Sequence, residues 1–247
     1  TAVQSYNGKV QAVTVGKFNN DIYDDIAIRV RDNYTIPASI QNGSLNYSGT
    51  GRVFVLYGSS SGPKTNTATG RILLQDGSGN PADVVSTNPC DALDNSNCKI
   101  QMLTSPSAGS LNFGFSLARR NLYSAATSEY DGLLVSDPTQ NSNDGIVYVF
   151  KGDVRGLNPV PLQTLTPRDT GTNFGYTIVE VGDINGDLKK DIAVSAYNLP
   201  SSSTRAQVVT IFFGKQVQSQ SAYVGANTDS LVDTSFWSPA RSEEHTS

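Results

Sequence analysis

Histidine, methionine and tryptophan each occur once among the 247 residues, cysteine occurs twice, and only 16% of the residues are charged. The one histidine, His245, lies in Arg241-Ser242-Glu243-Glu244-His245-Thr246-Ser247, which reads as a translated sequencing-library adapter. Residues 241–247 are therefore set aside as a non-native tail. Without His245 the protein holds no Ser–His or Cys–His pair. The nucleophile-elbow pattern is also missing, since Gly77-Ser78-Gly79 lacks its spacing. The sequence thus offers no catalytic set and predicts a protein that is not an enzyme. No apolar run approaches the roughly 18 residues of a membrane-spanning helix, and no long amphipathic helical pattern appears. A formal net charge of -4 argues against nucleic acid as a partner.

What the sequence has is turn chemistry and short apolar runs. Its 22 glycines, 11 prolines and 11 tyrosines sit among many Ser, Thr and Asn residues. This composition predicts an all-β fold of short strands joined by turns. One stretch organises the reading: Val181-Gly182-Asp183-Ile184-Asn185-Gly186-Asp187-Leu188-Lys189-Lys190-Asp191-Ile192-Ala193-Val194. Counted from Asp183, side-chain oxygens fall at positions 1, 3, 5 and 9, in Asp183, Asn185, Asp187 and Asp191. Carboxylate and amide oxygens with no His or Cys suit a hard cation, calcium before magnesium. Position 12 is Val194 where an EF-hand needs a glutamate, so the pattern is a strand-loop-strand cation site and not an EF-hand. The alternative is a solvated acidic turn. Four donors at odd positions with a glycine between them disfavour it, because like charges so placed repel until an ion neutralises them.

The stretch is repeated. Gly16-Lys17-Phe18-Asn19-Asn20-Asp21-Ile22-Tyr23-Asp24-Asp25 aligns with it without a gap, keeping Asn19, Asp21 and Asp25 but placing Lys17 at position 1. An ammonium there reaches towards the place of the cation, which predicts weak calcium binding or none. A second repeat is apolar: Gly51 to Gly58, Gly145 to Gly152, and Gln207 to Gly214 each carry a β-branched and aromatic run ending on glycine. Such runs read as strands covered on both faces. Phe113-Gly114 and Phe174-Gly175 stand 61 residues apart, room for four short strands. After Phe113 no acidic ladder precedes Gly132, so the cage is lost there, and Asp131 and Asp137 read as turn residues. Glu180, Tyr176, Tyr197, Phe212 and Phe213 read as ordinary strand residues, the aromatics as core. Ala222-Tyr223-Val224 is expected to supply an outer strand, and Phe236-Trp237 to begin a further unit.

Phe-Gly, then Gly-Asp-x-Asn-Gly-Asp-x-x-x-Asp, then Gly-x-Val-x-Val-Phe, resembles the FG-GAP repeat of integrin alpha-subunit N-terminal propellers over about Gly8 to Gly214. In the first copy Gly8-Lys9 stands in the place of Phe-Gly, and Ser195-Ala196-Tyr197 and Ser136-Asp137-Pro138 depart from Gly-Ala-Pro. The resemblance implies a β-propeller of four-stranded antiparallel blades, present as about three: 8–110, 111–171 and 172–240. It also implies one calcium ion held by Asp183, Asn185, Asp187 and Asp191, with the backbone carbonyl of Lys189 at position 7. Its functional implication is an extracellular, non-catalytic module for cell adhesion that binds a protein or glycan, or neighbouring blades of a larger assembly. The alternative is the accessory propeller of a larger secreted hydrolase, as in glycosylphosphatidylinositol-specific phospholipase D. Cys90 and Cys98, with seven residues between them, read as a local disulfide, the reduced pair being the alternative. Three clustered sequons, at Asn33, Asn42 and Asn46, add to the expectation of a secreted glycoprotein. The sequence is expected to be a fragment of a longer protein.

Overall fold

A computed structural model describes residues 9–31, 51–63, 84–91, 98–107, 110, 112–121, 130–167, 170–186, 188, 190–197, 208–214 and 232–233. The strands among the described residues fall into three main sheets. The first contains β1 (Lys9–Gly16), β2 (Asp25–Arg31), β3 (Arg52–Leu56), β4 (Val84–Val85) and β5 (Ile100–Thr104), in the order β1-β2-β3-β5-β4. Its pairs are antiparallel except β4 with β5. The second contains β6 (Leu117–Asn121), β7 (Asp131–Asp137), β8 (Ile146–Phe150) and β11 (Gln163–Leu165), with a small ribbon of β9 (Gly152–Asp153) and β10 (Gly156–Leu157) between the last two. The third runs β12 (Thr177–Gly182), β13 (Asp191–Ala196), β14 (Val208–Gly214) and β15 (Val232–Asp233). The protein is all-β with several antiparallel sheets. The helical turn Gln140–Asn143 holds left-handed φ values of 52° at Asn141 and 59° at Ser142.

The continuous apolar strands follow from having a neighbour on each face. Successive side chains of a strand point to opposite sides. Leu133 and Val135 of β7 and Tyr148 and Phe150 of β8 join a core with Val53, Val55 and Leu103 of the first sheet. Their alternates, Leu134, Val147 and Val149, join a second core with Ile178, Ile192, Val194 and Phe212 of the third. The middle sheet is thereby buried on both faces, and every residue of β7 and β8 is buried. Each such side chain contributes about 1.5–3 kcal/mol on leaving water. β3 is equally covered, whereas Val209 of β14 is 51% exposed, so the third apolar run is covered less fully than its sequence predicts.

The Phe-Gly pairs build the joints between sheets. Gly51, just before β3, meets the backbone of Phe113, and Gly145, just before β8, meets that of Phe174. A parallel bridge links Gly145 to Phe174. After each pair the backbone is tied back to its own sheet. Gly114 N–H donates to the Ser136 carbonyl at 2.8 Å, and Gly175 N–H donates to that of Ser195 at 3.0 Å. The hydroxyls of these two serines accept from Ser116 N–H at 2.9 Å and Thr177 N–H at 3.0 Å. Serine therefore has a positive use at the places where the repeat signature departs from Gly-Ala-Pro.

Several expectations need correction. Asp131 and Asp137 are not turn residues. They open and close β7 and are 7% and 0% exposed, Asp137 accepting from the Ser110 and Thr139 hydroxyls. Tyr176 and Tyr197 are not core, being 42% and 56% exposed and stacked on each other with ring centroids 4.9 Å apart. The strand beside β14 that the structure describes is β15, while 222–224 and 236–237 lie outside the described residues, as do the three sequons and the tail.

Candidate cation-binding loop

Between β12 and β13 the loop is folded by its own carboxylates. Asp183 accepts Gly186 N–H on Oδ1 and Leu188 N–H on Oδ2, both at 2.7 Å, which draws Gly186 and Leu188 back towards Asp183. Gly186 has φ +79°, a region glycine enters without steric cost. Asp191 is fully buried and ties two ends together. Its Oδ2 accepts Ile184 N–H at 2.9 Å, at the start of the loop, and its Oδ1 accepts Gly214 N–H at 2.8 Å, at the end of β14.

Asp183 and Asp191 therefore stand at the two ends of one turn, with exposed Asn185 between them. Asp187 and Lys189, the other two expected ligands, lie outside the described residues. Among the described residues no three His, Cys, Asp or Glu side chains gather as a metal site. The donor chemistry fits a hard cation, because a carboxylate oxygen that accepts one N–H keeps further acceptor capacity for an ion.

The first loop repeats this architecture without the same charge. Asp25, fully buried like Asp191, accepts Phe18 N–H on Oδ2 at 2.7 Å and Gly58 N–H on Oδ1 at 2.9 Å. The two aspartates thus make the same backbone clamp at the same register, and the glycine closing each apolar run is its donor. Lys17 Nζ donates to the Ile22 carbonyl at 3.0 Å, placing its ammonium against this loop. The disulfide between Cys90 and Cys98 packs there as well, with Asn19 Nδ2 at 3.5 Å from Cys90 Sγ and 3.8 Å from Cys98 Sγ. The expected disulfide is formed.

In the middle sheet Gly132 stands where Asp25 and Asp191 do, opposite Arg120 in the β6–β7 register. Asp131, one residue earlier, turns to the first loop: it accepts Lys17 N–H at 2.8 Å and donates its own N–H to the Lys17 carbonyl at 2.6 Å. Burial raises its pKa, opposed by the Lys17 N–H and the Arg119 guanidinium. On the other side of β6, the buried Arg120 guanidinium feels the carboxylates of Glu180 and Asp191, and burial still pushes it down to about 10. An internal cation beside the candidate loop is not visible in sequence spacing, because Arg120 and Asp191 belong to different sheets.

Burial pushes the Asp25 carboxyl up from 3.8 to about 7, helped by Asp21 and Asp24 and opposed by the two N–H donors. Between these values the folded protein holds a proton that the unfolded state has lost. The stability tied to this group is fully present below pH 3.8 and is lost as pH rises through about 7. In urea denaturation across that window, Asp25→Asn is expected to remove a fall in stability that the unsubstituted protein shows. Parallel pH profiles for the two proteins would contradict this.

No family model matches this sequence. A stretch of 102 residues, 41% of the protein, is 32% identical to integrin alpha-6 of Gallus gallus. The match is to a much longer protein, of which it covers 9%.

Proposed function

We propose that the protein is a run of three FG-GAP-type blades, over 8–110, 111–171 and 172–240, from an integrin-alpha-like β-propeller. In this reading it is a non-catalytic, extracellular calcium-binding module that presents a surface to a protein or glycan. The observation that carries it is the repeated aspartate clamp: Asp25 to Phe18 and Gly58, Asp191 to Ile184 and Gly214, at matching places in two sheets. The Phe-Gly joints at Gly51 and Gly145 and the similarity to integrin alpha-6 support the same reading. The buried Cys90–Cys98 disulfide suits an oxidising compartment. Among the described residues no helix is long and apolar enough to cross a membrane.

Asp183, Asn185, Asp187 and Asp191, with the Lys189 carbonyl, would hold the calcium, which supplies positive charge to three neighbouring carboxylates. The protein's own contribution is to fix the turn through Asp183 and the strand ends through Asp191. At ten times its dissociation constant calcium adds roughly 1.4 kcal/mol, enough to order the loop and too little to determine the fold. Isothermal calorimetry should register one dominant calcium site that disappears in Asp187→Ala. Several equal sites, or none, would refute the assignment.

A further inference from the structure

Asn185 is followed by Gly186, the pair of residues best suited to intramolecular deamidation, since glycine puts no side group in the way of its own backbone nitrogen. Both residues are exposed, and nothing lies within 4 Å of where a Cβ on Gly186 would stand. A hydrogen bond restrains the chemistry. The nitrogen that must attack, Gly186 N, is held by Asp183 Oδ1 at 2.7 Å, and Leu188 N–H is held by the other oxygen of the same carboxylate. Gly186 N cannot turn onto the Asn185 amide until this turn opens.

We infer that Asn185–Gly186 is a deamidation site gated by the cation of this loop, an inference that rests on the calcium reading above. When the turn opens, Gly186 N bonds to Asn185 Cγ, and the bond from Cγ to Nδ2 breaks. Nδ2 departs as ammonia with the proton from Gly186 N. Water then adds across either C–N bond of the cyclic imide, giving aspartate or isoaspartate. Asn185 and Asp183 are two of the residues that would hold calcium, and holding it would keep them together, so reaction would be confined to the open, cation-free loop. If opening and binding are both fast, occupancy lowers the open population, and hence the rate, by about tenfold at ten times the dissociation constant. Conversion is one-way. Aspartate adds a carboxylate to Asp183, Asp187 and Asp191, while isoaspartate inserts a methylene into the backbone beside Gly186 and displaces its bond to Asp183.

The test is peptide mapping by mass spectrometry of the full-length protein after incubation in mildly alkaline buffer, with chelator or with calcium at ten times its calorimetric dissociation constant. Asn7–Gly8 serves as the internal reference, Asn42–Gly43 being set aside because it lies in a sequon. Asn185 should convert in chelator and about tenfold more slowly in calcium, with the reference unaffected by the ion. Asn185 remaining intact in chelator while the reference converts would overturn the proposal. Equal rates at Asn185 in both buffers, in protein that calorimetry shows to bind calcium, would overturn it too. Calorimetry without binding would instead remove the calcium reading itself, and the gating with it.

Discussion

Asp191→Ala is expected to lower the unfolding free energy by about 3–6 kcal/mol, because it removes two hydrogen bonds to a buried carboxylate, each worth about 1.5–3 kcal/mol. It also leaves Gly214 N–H, at a buried position, without its acceptor. The loss should already appear in chelator, since both bonds come from the protein's own backbone N–H groups, and calcium at ten times its dissociation constant should add roughly 1.4 kcal/mol to it, the ion's own contribution through Asp191. Asp191→Asn retains a single acceptor oxygen and should lose about half as much. Urea denaturation of the three proteins in chelator is the check. A midpoint for Asp191→Ala equal to that of the unsubstituted protein would show that the clamp does not hold β13 to β14.

Gly145→Ala is expected to be as damaging for a different reason. A Cβ at this position would stand far inside van der Waals contact with the carbonyl oxygen and the nitrogen of Phe174, both backbone atoms that cannot swing aside. Overpacking costs about 1–3 kcal/mol, and a non-glycine residue at φ +89° adds about 1–2 kcal/mol. Gly62→Ala separates the two effects. Gly62 has φ +85° but nothing within 4 Å of its Cβ position, so it should show the backbone cost alone. If the two variants lose equal stability in thermal or urea unfolding, the Gly145–Phe174 contact is not a structural joint.

How far this architecture can be read from sequence depends on the range of the interaction involved. The apolar runs ending at Gly58, Gly152 and Gly214 are legible because a strand with a neighbour on each face needs apolar residues in succession, and β7 and β8 divide theirs between two cores. The loop at Asp183 is legible because its donors lie close together in sequence. The clamp is not, since Asp191 meets Gly214 across 23 residues and the glycine gives no local sign of having an acidic partner. Spacing marks Asp191 as a candidate ligand, whereas the structure shows a residue already holding two strand ends. The surroundings of Arg120 and Asp131 are hidden for the same reason, because the carboxylates near Arg120 and the Lys17 backbone that Asp131 holds come from adjacent sheets.

The exposed aromatics show the opposite error. Tyr176 follows Phe-Gly and Tyr197 follows β13, places where an aromatic residue reads as core. Phe115, Tyr176 and Tyr197 instead form a row, with Phe115 and Tyr176 centroids 5.0 Å apart and the Arg29 guanidinium 5.6 Å from the Phe115 centroid. Sequence pattern fixes that such residues contact something apolar. It does not fix that the partners are one another, at the surface.

In the proposed reading one loop, 183–191, is built for a cation, while its copy at 17–25 has an ammonium and a disulfide in the cation's stead. The direct measurement is a crystal structure grown in calcium, with the ion located by its anomalous scattering. One peak is predicted, surrounded by oxygens of Asp183, Asn185, Asp187, Asp191 and the Lys189 carbonyl, with none in the first loop beside Lys17. A peak at the first loop, or a fully ordered 183–191 loop with no ion, would contradict it.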